Sequence, residues 1–415
     1  MIAMDGNIID SDLVRREQGP PYALFADWRE KDPVHWNPVP DTYDNPNAAY
    51  KMEHGIWVLT RYRDVDYASR NPLLFSSAIG GPQIWDFPPV ELERTRSGMM
   101  GMDPPRHTQF KRLVLPPFQP KSLRAFEAEI ERMAIKIVDS VADRGECEFV
   151  FDVASRLPVY TFCVLMGIPE HDHEYVFRIG NALADMERGQ DIPALQQELA
   201  AYSLRLAAEK EQNPDSSMLS AYVNGRVDGE RLTPAEIAMF FGTIAVAGHE
   251  TTRNTAVHFI RLMNQFSEQY ALLRSNPDQY LPGAIDEVLR FSPPVLGFRR
   301  TASQDVQIGD THIKAGEKVY LAYGAANRDP AMFADPDRFD VTRANAGRHL
   351  SFGIGQHVCL GARLANMQLK LLLNRIVRRI PDIRPVGSEL DYLPSLLFNA
   401  VRSFPVVFTP ERQAA

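Results

Sequence analysis

The segment Phe352-Gly353-Ile354-Gly355-Gln356-His357-Val358-Cys359-Leu360-Gly361 decides the fold of this 415-residue chain. Its glycines let the backbone turn tightly and approach a flat, bulky group. A helix is predicted directly after the cysteine, because apolar residues recur every three or four positions: Leu360, Leu364, Met367 and Leu371. The N–H groups and the dipole at a helix N-terminus stabilise a thiolate, which is a good ligand for iron. A disulfide is disfavoured, because the other cysteines, Cys147 and Cys163, are distant in sequence.

This segment resembles the haem-binding loop of the cytochromes P450. The matching positions are Phe352, Gly353, Gly355, His357, Cys359 and Gly361. At typical residue usage, six specified positions coincide in on the order of 1 in 10⁸ windows. The alternative is an inert, buried cysteine in a glycine-rich turn. The resemblance implies haem b with the Cys359 thiolate as axial ligand to the iron, and with Phe352, Gly353 and Gly361 beside the cofactor.

Composition limits the class of protein. The length alone would suggest about three domains, but no linker, charge block or repeat divides the sequence. We therefore expect one large domain over residues 1–415, mainly α with a small β-sheet region, which is the P450 fold. Its β-containing part is expected at about 30–70, and its helical core at about 105–291 and 352–380. The net charge of −8 argues against nucleic-acid binding, and three cysteines suit a reducing compartment.

No segment has the character of a membrane anchor. The first 31 residues are mixed and charged, and the longest nearly apolar run, residues 237–248, is below the ~18 needed to span a bilayer. We therefore expect a cytoplasmic protein. Within the resembled family, the absence of an anchor implies the soluble bacterial type, and we expect a monomer. Short β-like runs are predicted near both ends: Val34–Trp36, Ile56–Leu59, Val306–Ile308, Val319–Ala322 and Val406–Phe408. They predict a small sheet that joins the two ends of the chain.

Residues 103–112 carry the second motif. Two prolines precede a helix whose first turn holds His107, with Lys111 one turn later on the same face. From these residues alone, a solvated basic face is the favoured interpretation. The resemblance implies instead that His107 and Lys111 hold a haem propionate, although the family commonly has arginine at the second position. Arg112 is the alternative cation.

Further propionate partners are implied later in the chain. Arg300 aligns best with the propionate-binding arginine of the family, and Arg299 is the competing choice. His357, two residues before the cysteine, is a third partner.

A long central helix is predicted from a well-formed start. Thr233 is the N-cap, Pro234 the first helical residue and Glu236 the partner in a capping box. The helix should continue to about Met263, a length of about 45 Å. Within it, residues 247–252 read Ala-Gly-His-Glu-Thr-Thr, and a glycine there costs about 1 kcal/mol relative to alanine.

This part of the helix resembles the oxygen-binding segment of the family. The matching positions are Ala247, Gly248, Glu250 and Thr251. Thr251 is placed to bond the carbonyl of Ala247, leaving a widened groove for dioxygen and water. The resemblance implies that Glu250 feeds protons to it. The alternative is a solvent-exposed acid beside ordinary helical threonines.

A structural group is implied around Glu287 and Arg290, which lie three apart on one helix. Alone, such a pair says little. In the family it is joined by an arginine from a later Pro-x-Arg-Phe segment, here Arg338. We expect a buried network of these three residues that fixes the loop around the cysteine.

Candidate substrate contacts come from three apolar stretches. They are Ile84, Trp85, Phe87, Leu296, Phe298, Leu397 and Phe398. The resemblance favours these positions, although core packing accounts equally well for any single one. They indicate only that the substrate is largely apolar.

The resemblance implies a haem-thiolate monooxygenase. It places one atom of dioxygen in a C–H or C=C bond, and the thiolate favours O–O cleavage. No flavin or nicotinamide fingerprint is present, so the electrons are expected from NAD(P)H through ferredoxin reductase and ferredoxin. An acidic ferredoxin would suit the basic residues Lys111, Arg112, Lys121, Arg124, Arg363 and Lys370. The alternatives are a peroxide-using or non-oxygen-activating family member, and a non-enzymatic haem-binding protein.

Overall fold

The chain forms two compact units, each built from separate stretches of sequence. The computed structural model describes residues 6–9, 19–40, 51–184, 191–387, 390–393, 395 and 397–411. The sheet unit comprises Met1–Thr108, Asp286–Cys359 and Tyr392–Ala400. The helical unit comprises Gln109–Ile285, Leu360–Asp391 and Val401–Ala415. The expectation of a single domain stays a prediction.

The sheet unit is organised by a twisted sheet. Its strands lie in the order Val34–Asn37, Ile56–Leu59, Lys318–Ala322, Gly297–Ala302 and Phe75–Ser76. Neighbours are antiparallel, except that Lys318–Ala322 runs parallel to Ile56–Leu59. The prediction that early and late segments share a sheet is confirmed. Strand Gly297–Ala302 was not predicted, because its two arginines obscure the apolar pattern of a strand.

Two hydrophobic clusters cover the two faces of this sheet. Along strand Lys318–Ala322, Val319 and Leu321 belong to one cluster, and Tyr320 and Ala322 to the other. This division follows from the alternation of side chains along a strand. The other elements of the unit are helices Tyr22–Lys31, Tyr62–Arg70, Pro89–Arg96 and Tyr323–Ala326, and the hairpin of Val306–Ile308 and Thr311–Ile313.

The helical unit packs around the central helix, Pro234–Gln265. Phe241 on this helix lies edge-on to Phe162, with ring centroids 5.1 Å apart, and Phe240 stacks on Tyr222 at 3.9 Å. The surrounding helices are Pro120–Ala142, Arg156–Met166, His173–Ala184, Ile192–Gln212, Met218–Val223, Ser267–Ser275 and Ala362–Arg379. Helices Arg106–Val114 and Pro277–Phe291 begin in one unit and end in the other.

The predicted start of the central helix is confirmed. Thr233 Oγ1 accepts from the Glu236 backbone N–H at 3.2 Å, and Glu236 Oε2 accepts from the Thr233 backbone N–H at 2.8 Å. Each bond satisfies a backbone donor that the first turn of the helix leaves without a partner. The helix ends at Gln265, two residues beyond the predicted end.

Three details of the sequence analysis are wrong. The predicted strand Val306–Ile308 pairs with Thr311–Ile313 and does not join the main sheet. The last predicted strand, Val406–Phe408, is observed as Pro405–Val407, which pairs with Arg384–Pro385 and Glu146–Glu148 in the helical unit. The helix after the cysteine, Ala362–Arg379, turns a different stripe inward: Leu364, Leu369, Leu372, Leu373, Ile376 and Val377. Met367 and Leu371 are only half-buried, because they lie at the edge of that stripe.

The chain is thus mainly α with small sheets. In the described part of the chain, every helix is too short or too polar to cross a membrane.

Candidate active site

Cys359 ends a tight turn in the sheet unit. Gly355 has φ +72°, and a Cβ there would lie 2.5 Å from the Ser69 carbonyl oxygen, so only glycine fits. The Cys359 backbone N–H donates to the Phe352 carbonyl at 2.7 Å and closes the turn. The cysteine is exposed, so its thiol is accessible to a ligand. Gly353, also at positive φ, lies in the same turn.

The other two cysteines are of a different kind. Cys147 and Cys163 lie buried in the helical unit, and burial raises the pKa of each thiol to about 12. Such thiols stay protonated and unreactive at neutral pH.

Two histidines meet beside the cysteine turn. The rings of His107 and His357 lie 4.3 Å apart, and His107 is only 1% exposed. Ser77 Oγ lies 3.2 Å from His357 Nε2. The Asp103 carboxylate accepts from the Ser77 backbone N–H at 2.8 Å and from the Ser76 hydroxyl, which fixes this segment. The structure therefore brings together two of the predicted anion-binding residues.

The two adjacent arginines have different surroundings. Arg299 Nη1 donates to Asp86 Oδ1 at 3.0 Å and to the Trp85 carbonyl at 2.8 Å, so it holds the loop around residue 85. Arg300 is 4% exposed and donates to the Arg299 carbonyl at 2.8 Å. No carboxylate in the described residues forms an ion pair with Arg300, and its burial lowers its pKa. Asp103 acts on Arg300 only from beyond ion-pair distance, so an anionic ligand in direct contact would stabilise this buried cation further.

Two cations of the helix Arg106–Val114 differ in exposure. Lys111 is half-buried and Arg112 is exposed. Which of the two contacts an anion stays a prediction.

The predicted carboxylate–arginine group is present, with one member replaced. Glu287 and Arg290 are fully buried and paired through two bonds, Nε to Oε2 at 2.7 Å and Nη2 to Oε1 at 2.8 Å. The Arg290 Nη1 group also donates to the carbonyls of Asn327 and Pro336, at 3.0 and 2.8 Å. The pair therefore ties its helix to two later segments of the sheet unit.

Arg338 is not the third partner. Its side chain is 67% exposed and reaches only Asp340, at 3.9 Å, while its backbone carbonyl accepts from the buried arginine. The third guanidinium comes from Arg343, whose Nε lies 3.2 Å from Glu287 Oε1. The physical reason is local: Phe339 is buried, and this turn directs the preceding side chain to solvent.

The centre of the central helix has an open face. Thr251 Oγ1 donates to the Ala247 carbonyl at 2.7 Å, as predicted. Ala247 and Gly248 are exposed although they lie in the middle of a 32-residue helix. A Cβ on Gly248 would meet nothing within 4 Å. This glycine therefore borders open space on the helix surface.

Glu250 is buried and tied in place. Its Oε1 accepts from Arg253 Nη2 at 2.5 Å and from Asn254 Nδ2 at 2.7 Å. Asn254 Oδ1 in turn accepts from the Val401 backbone N–H at 2.9 Å. The second oxygen, Oε2, is buried and has no partner among the described residues. A buried acceptor of this kind usually holds an internal water.

Some of the candidate substrate residues are brought together. The Leu296 backbone N–H donates to the Leu397 carbonyl at 2.8 Å, and Val295 pairs with Phe398 in an antiparallel bridge. Phe298, Leu397 and Phe398 are half-buried against one hydrophobic cluster of the sheet. These segments are about 100 residues apart in sequence, and only the fold joins them.

The other candidates separate into two kinds. Ile84 is 4% exposed in the second cluster of the sheet, and Trp85 packs against that cluster. Core packing accounts for both, so they no longer argue for a ligand wall. Phe87 is half-buried beside Gly81.

The remaining predicted positions lie at the two ends of the cysteine segment. The Phe352 ring lies 5.4 Å from His349, in the sheet unit. Gly361 lies in the helical unit, where a Cβ would be 3.8 Å from Phe118.

Sequence reasoning missed several residues of this site. Arg343, Arg253 and Asn254 complete the hydrogen-bonded networks of the two buried glutamates, and Ser77, itself held by Asp103, contacts His357. Arg253 and Asn254 were detectable, because they lie three and four residues after Glu250 on one helix. The others act across long sequence separations, for which a single sequence carries no pattern.

Comparison with known proteins decides the family. A family model described as Cytochrome P450 matches residues 190–380. A steroid C26-monooxygenase of Mycolicibacterium smegmatis is 32% identical, over 95% of this chain and 92% of its own length. A methyl-branched lipid omega-hydroxylase of Mycobacterium tuberculosis is 35% identical, over 93% of this chain and 90% of its own. The chain belongs to the cytochrome P450 family.

Solved structures agree with this P450 assignment. A Mycobacterium marinum cytochrome P450 in complex with pseudoionone has a TM-score of 0.85 and 36% identity, and covers 93% of this chain and 94% of its own. The predicted P450 fold and monooxygenase activity are confirmed, and the cofactor of the family is haem with a cysteine thiolate ligand.

The residues of this P450 fit that cofactor. An exposed thiol in a glycine turn suits an iron ligand, and the buried Arg300 lacks the anion that a haem carboxylate would supply.

Two buried histidines make the stability of this P450 depend on pH. Burial, assisted by Arg253, lowers the pKa of His249 to about 3, and burial, assisted by Arg290, lowers that of His349 to about 4. In the unfolded chain both titrate near ~6.5. Below that pH the unfolded state binds more protons, so stability is complete above pH ~6.5 and declines as the pH falls toward 4 and then 3.

We expect the free energy of unfolding to fall by about 2 kcal/mol per histidine between pH 6.5 and pH 5. Urea unfolding at pH 7, 6 and 5 measures this free energy from the midpoint and the m-value. His249→Gln should flatten part of this slope. His171→Gln, at an exposed position, should leave it unchanged. A slope that His249→Gln does not alter would contradict the assignment.

Proposed function

We propose that this P450 hydroxylates a lipid-sized apolar substrate of the steroid or methyl-branched class. The electrons come from NAD(P)H through ferredoxin reductase and ferredoxin. The observation that carries the proposal is the exposed Cys359 thiol together with the open, threonine-flanked face of the central helix. The printed names of the relatives, which act on steroids and branched lipids, support the substrate class.

Each residue of the cofactor site has a defined task in this proposal. When bound, the haem supplies activation of dioxygen, and Cys359 is the thiolate ligand that the family requires. Arg300, His107, His357 and Lys111 bind its carboxylates. Glu287, Arg290 and Arg343 hold the segments that carry the cysteine turn.

Proton delivery is assigned to the central helix. The Thr251 hydroxyl donates a hydrogen bond to the Ala247 carbonyl. Its lone pairs can accept a hydrogen bond from a donor such as water. Glu250 is held by Arg253 and Asn254, and its Oε2 lies ready to bind a water. A carboxylate fixed in this way positions water beside the threonine.

Thr251→Ala should uncouple this P450. Loss of the hydroxyl removes the group that orders water on the open face. NADPH is then still consumed, but its electrons reduce dioxygen to hydrogen peroxide and not to product and water. We expect the fraction of electrons that reach product to fall about tenfold, the size of one lost hydrogen bond to an ordered water. The measurement is the ratio of hydroxylated product to NADPH consumed.

Thr255→Ala is the matched control. Its hydroxyl makes the same kind of bond one turn later, to the Thr251 carbonyl at 2.8 Å. Equal uncoupling in both variants would reject a specific role for Thr251. Product formation with peroxide alone, at an undiminished rate in Thr251→Ala, would favour the peroxide-using alternative.

The substrate residues in this proposal are Leu296, Phe298, Leu397 and Phe398, with Phe87 as a further candidate. The apolar surface that the half-buried members leave uncovered suits a hydrocarbon ligand. A titration of the ferric protein tests the substrate class, using cholest-4-en-3-one, a methyl-branched fatty acid and a small aromatic. The Soret band should shift at micromolar concentrations of the first or second ligand. A response to the aromatic alone would reject the class.

A ferredoxin docking surface is proposed on the helical unit. Exposed basic side chains there make no ion pair in the part of the chain that the structure describes: Arg112, Lys121, Arg124, Arg363 and Lys370. Lys121 and Arg124 lie on helix Pro120–Ala142, and Arg363 and Lys370 lie on helix Ala362–Arg379, which packs against it. Phe118 and Gly361, just before the starts of these two helices, lie close together. An acidic iron–sulfur partner is complementary to this surface, because opposite charges steer association.

Arg112→Glu and Arg363→Glu should each slow the first electron transfer about tenfold at low salt, with the difference shrinking at high ionic strength. Stopped-flow reduction by a bacterial ferredoxin measures the rate. Substrate affinity should not change.

Arg205→Glu, an exposed arginine on helix Ile192–Gln212, is the control for net charge and should reduce at the wild-type rate. Equal slowing in the control would reject a local docking surface.

A further inference from the structure

Gln356 lies three residues before the proposed iron ligand, in the short turn Gly355–His357. Its side-chain nitrogen Nε2 is 2.8 Å from His107 Nδ1 and 2.7 Å from Thr108 Oγ1. The three residues belong to the sheet unit, and about 250 residues of sequence separate the glutamine from the other two. The fold therefore places one amide group directly against a histidine of the cofactor site.

With the amide nitrogen placed toward both partners, the chemistry of the amide gives each bond one direction. An amide nitrogen carries two hydrogens and accepts none, so it donates to the hydroxyl and to the imidazole. His107 Nδ1 must then accept with its lone pair. A neutral imidazole has one N–H, which in this arrangement lies on Nε2.

We propose that Gln356 is a positioning residue that holds His107 in its Nε2–H tautomer, so that the ring donates to a carboxylate of the cofactor. A carboxylate only accepts hydrogen bonds, and the opposite tautomer would present a lone pair to it. The inference rests on the proposed cofactor role of His107. The new element is Gln356, which determines that Nε2 of His107 is the nitrogen that donates.

The surroundings of His107 favour a single tautomer of its ring. The side chain is 1% exposed, so water does not average its two tautomers as it does for a surface histidine. Its neighbour His357 is held at Nε2 by Ser77, at 3.2 Å. Both rings are thus oriented by neighbouring polar side chains, which is how other ligand-holding histidines are fixed.

The test reads the tautomer directly. Nitrogen-15 spectra of histidine-labelled protein, in its reduced, carbon-monoxide-bound form, should show Nδ1 of His107 unprotonated and Nε2 protonated. Comparison with His107→Asn assigns the signals. Gln356→Glu can only accept, so it should move the proton to Nδ1. A wild-type His107 that is protonated on Nδ1 would overturn the proposal whatever the variants do.

Haem retention gives an independent readout. Gln356→Met keeps the length of the side chain and removes the donor, so haem transfer to apomyoglobin should be about tenfold faster, the size of one charge-assisted hydrogen bond. Gln307→Met, at an exposed glutamine that donates to the Gly309 carbonyl, should transfer haem at the wild-type rate. Indistinguishable rates and His107 signals in the two methionine variants would overturn the proposal. Absence of the thiolate absorption in the carbon monoxide complex would instead reject the proposed function, and the nitrogen spectra would still report the tautomer.

Discussion

Cys359→Ser should abolish hydroxylation, by a factor of 10³ or more, because serine offers iron no thiolate and the electron density that favours O–O cleavage is lost. The exposed sulfur at the end of the glycine turn is the ligand that we propose for this enzyme's iron. The measurement is product formation with an excess of ferredoxin. The absorption of the reduced carbon monoxide complex should also move from the thiolate position to that of other haem proteins.

Cys147→Ser and Cys163→Ser provide matched controls. Burial keeps their thiols protonated, with pKa values raised to about 12, so they offer iron no thiolate at neutral pH. Both variants should keep the thiolate absorption, although a hydroxyl placed in an apolar core lowers stability. A Cys359→Ser protein that retains that absorption would refute the assignment of the ligand.

Arg290→Met should lower the free energy of unfolding by about 3–5 kcal/mol, the cost of leaving a buried carboxylate without its partner. Glu287 and Arg290 are both fully buried, and the arginine also satisfies carbonyls of two later segments. Removing both charges, in Glu287→Leu combined with Arg290→Met, should cost less than the single change, because no unpaired charge remains. Urea unfolding of the haem-loaded protein measures the difference.

The same experiment tests which arginine, Arg343 or Arg338, is the third member of this group. Arg343→Ala should cost about 1–3 kcal/mol, since it removes a nearly buried partner of Glu287 and three donors to backbone carbonyls. Arg338→Ala, at a 67% exposed side chain, should change stability by about 0.5 kcal/mol or less. A larger loss of stability in Arg338→Ala than in Arg343→Ala would instead support Arg338, the residue that the sequence motif predicts.

Features that depend on near neighbours along the chain could be predicted without the structure. The glycine turn before Cys359, the capping box at Thr233 and the bond from Thr251 to Ala247 each join residues at most seven apart. Such contacts follow from backbone geometry and residue type, which a motif records. Family resemblance extended this to the fold and the monooxygenase activity.

Motifs failed where the direction of a side chain depends on packing. The Pro-x-Arg-Phe segment was found, but burial of Phe339 turns Arg338 outward, and Arg343 reaches Glu287 instead. Ile84 lies in an apolar loop suited to a ligand, yet the strands that surround it make it core. The predicted stripe after the cysteine was displaced for the same reason, because the neighbouring helix selects which face is buried.

Tertiary structure gives two adjacent arginines different surroundings. The family pattern favoured Arg300 over Arg299, and alternation along a strand now pairs Arg299 with Asp86. Arg300 is buried with no carboxylate at ion-pair distance among the described residues. Gln356 meets His107 only because folding brings the two segments within 2.8 Å. Hydrogen bonds and ion pairs act over a few ångströms in space, so a contact across 250 positions leaves no pattern in a single chain.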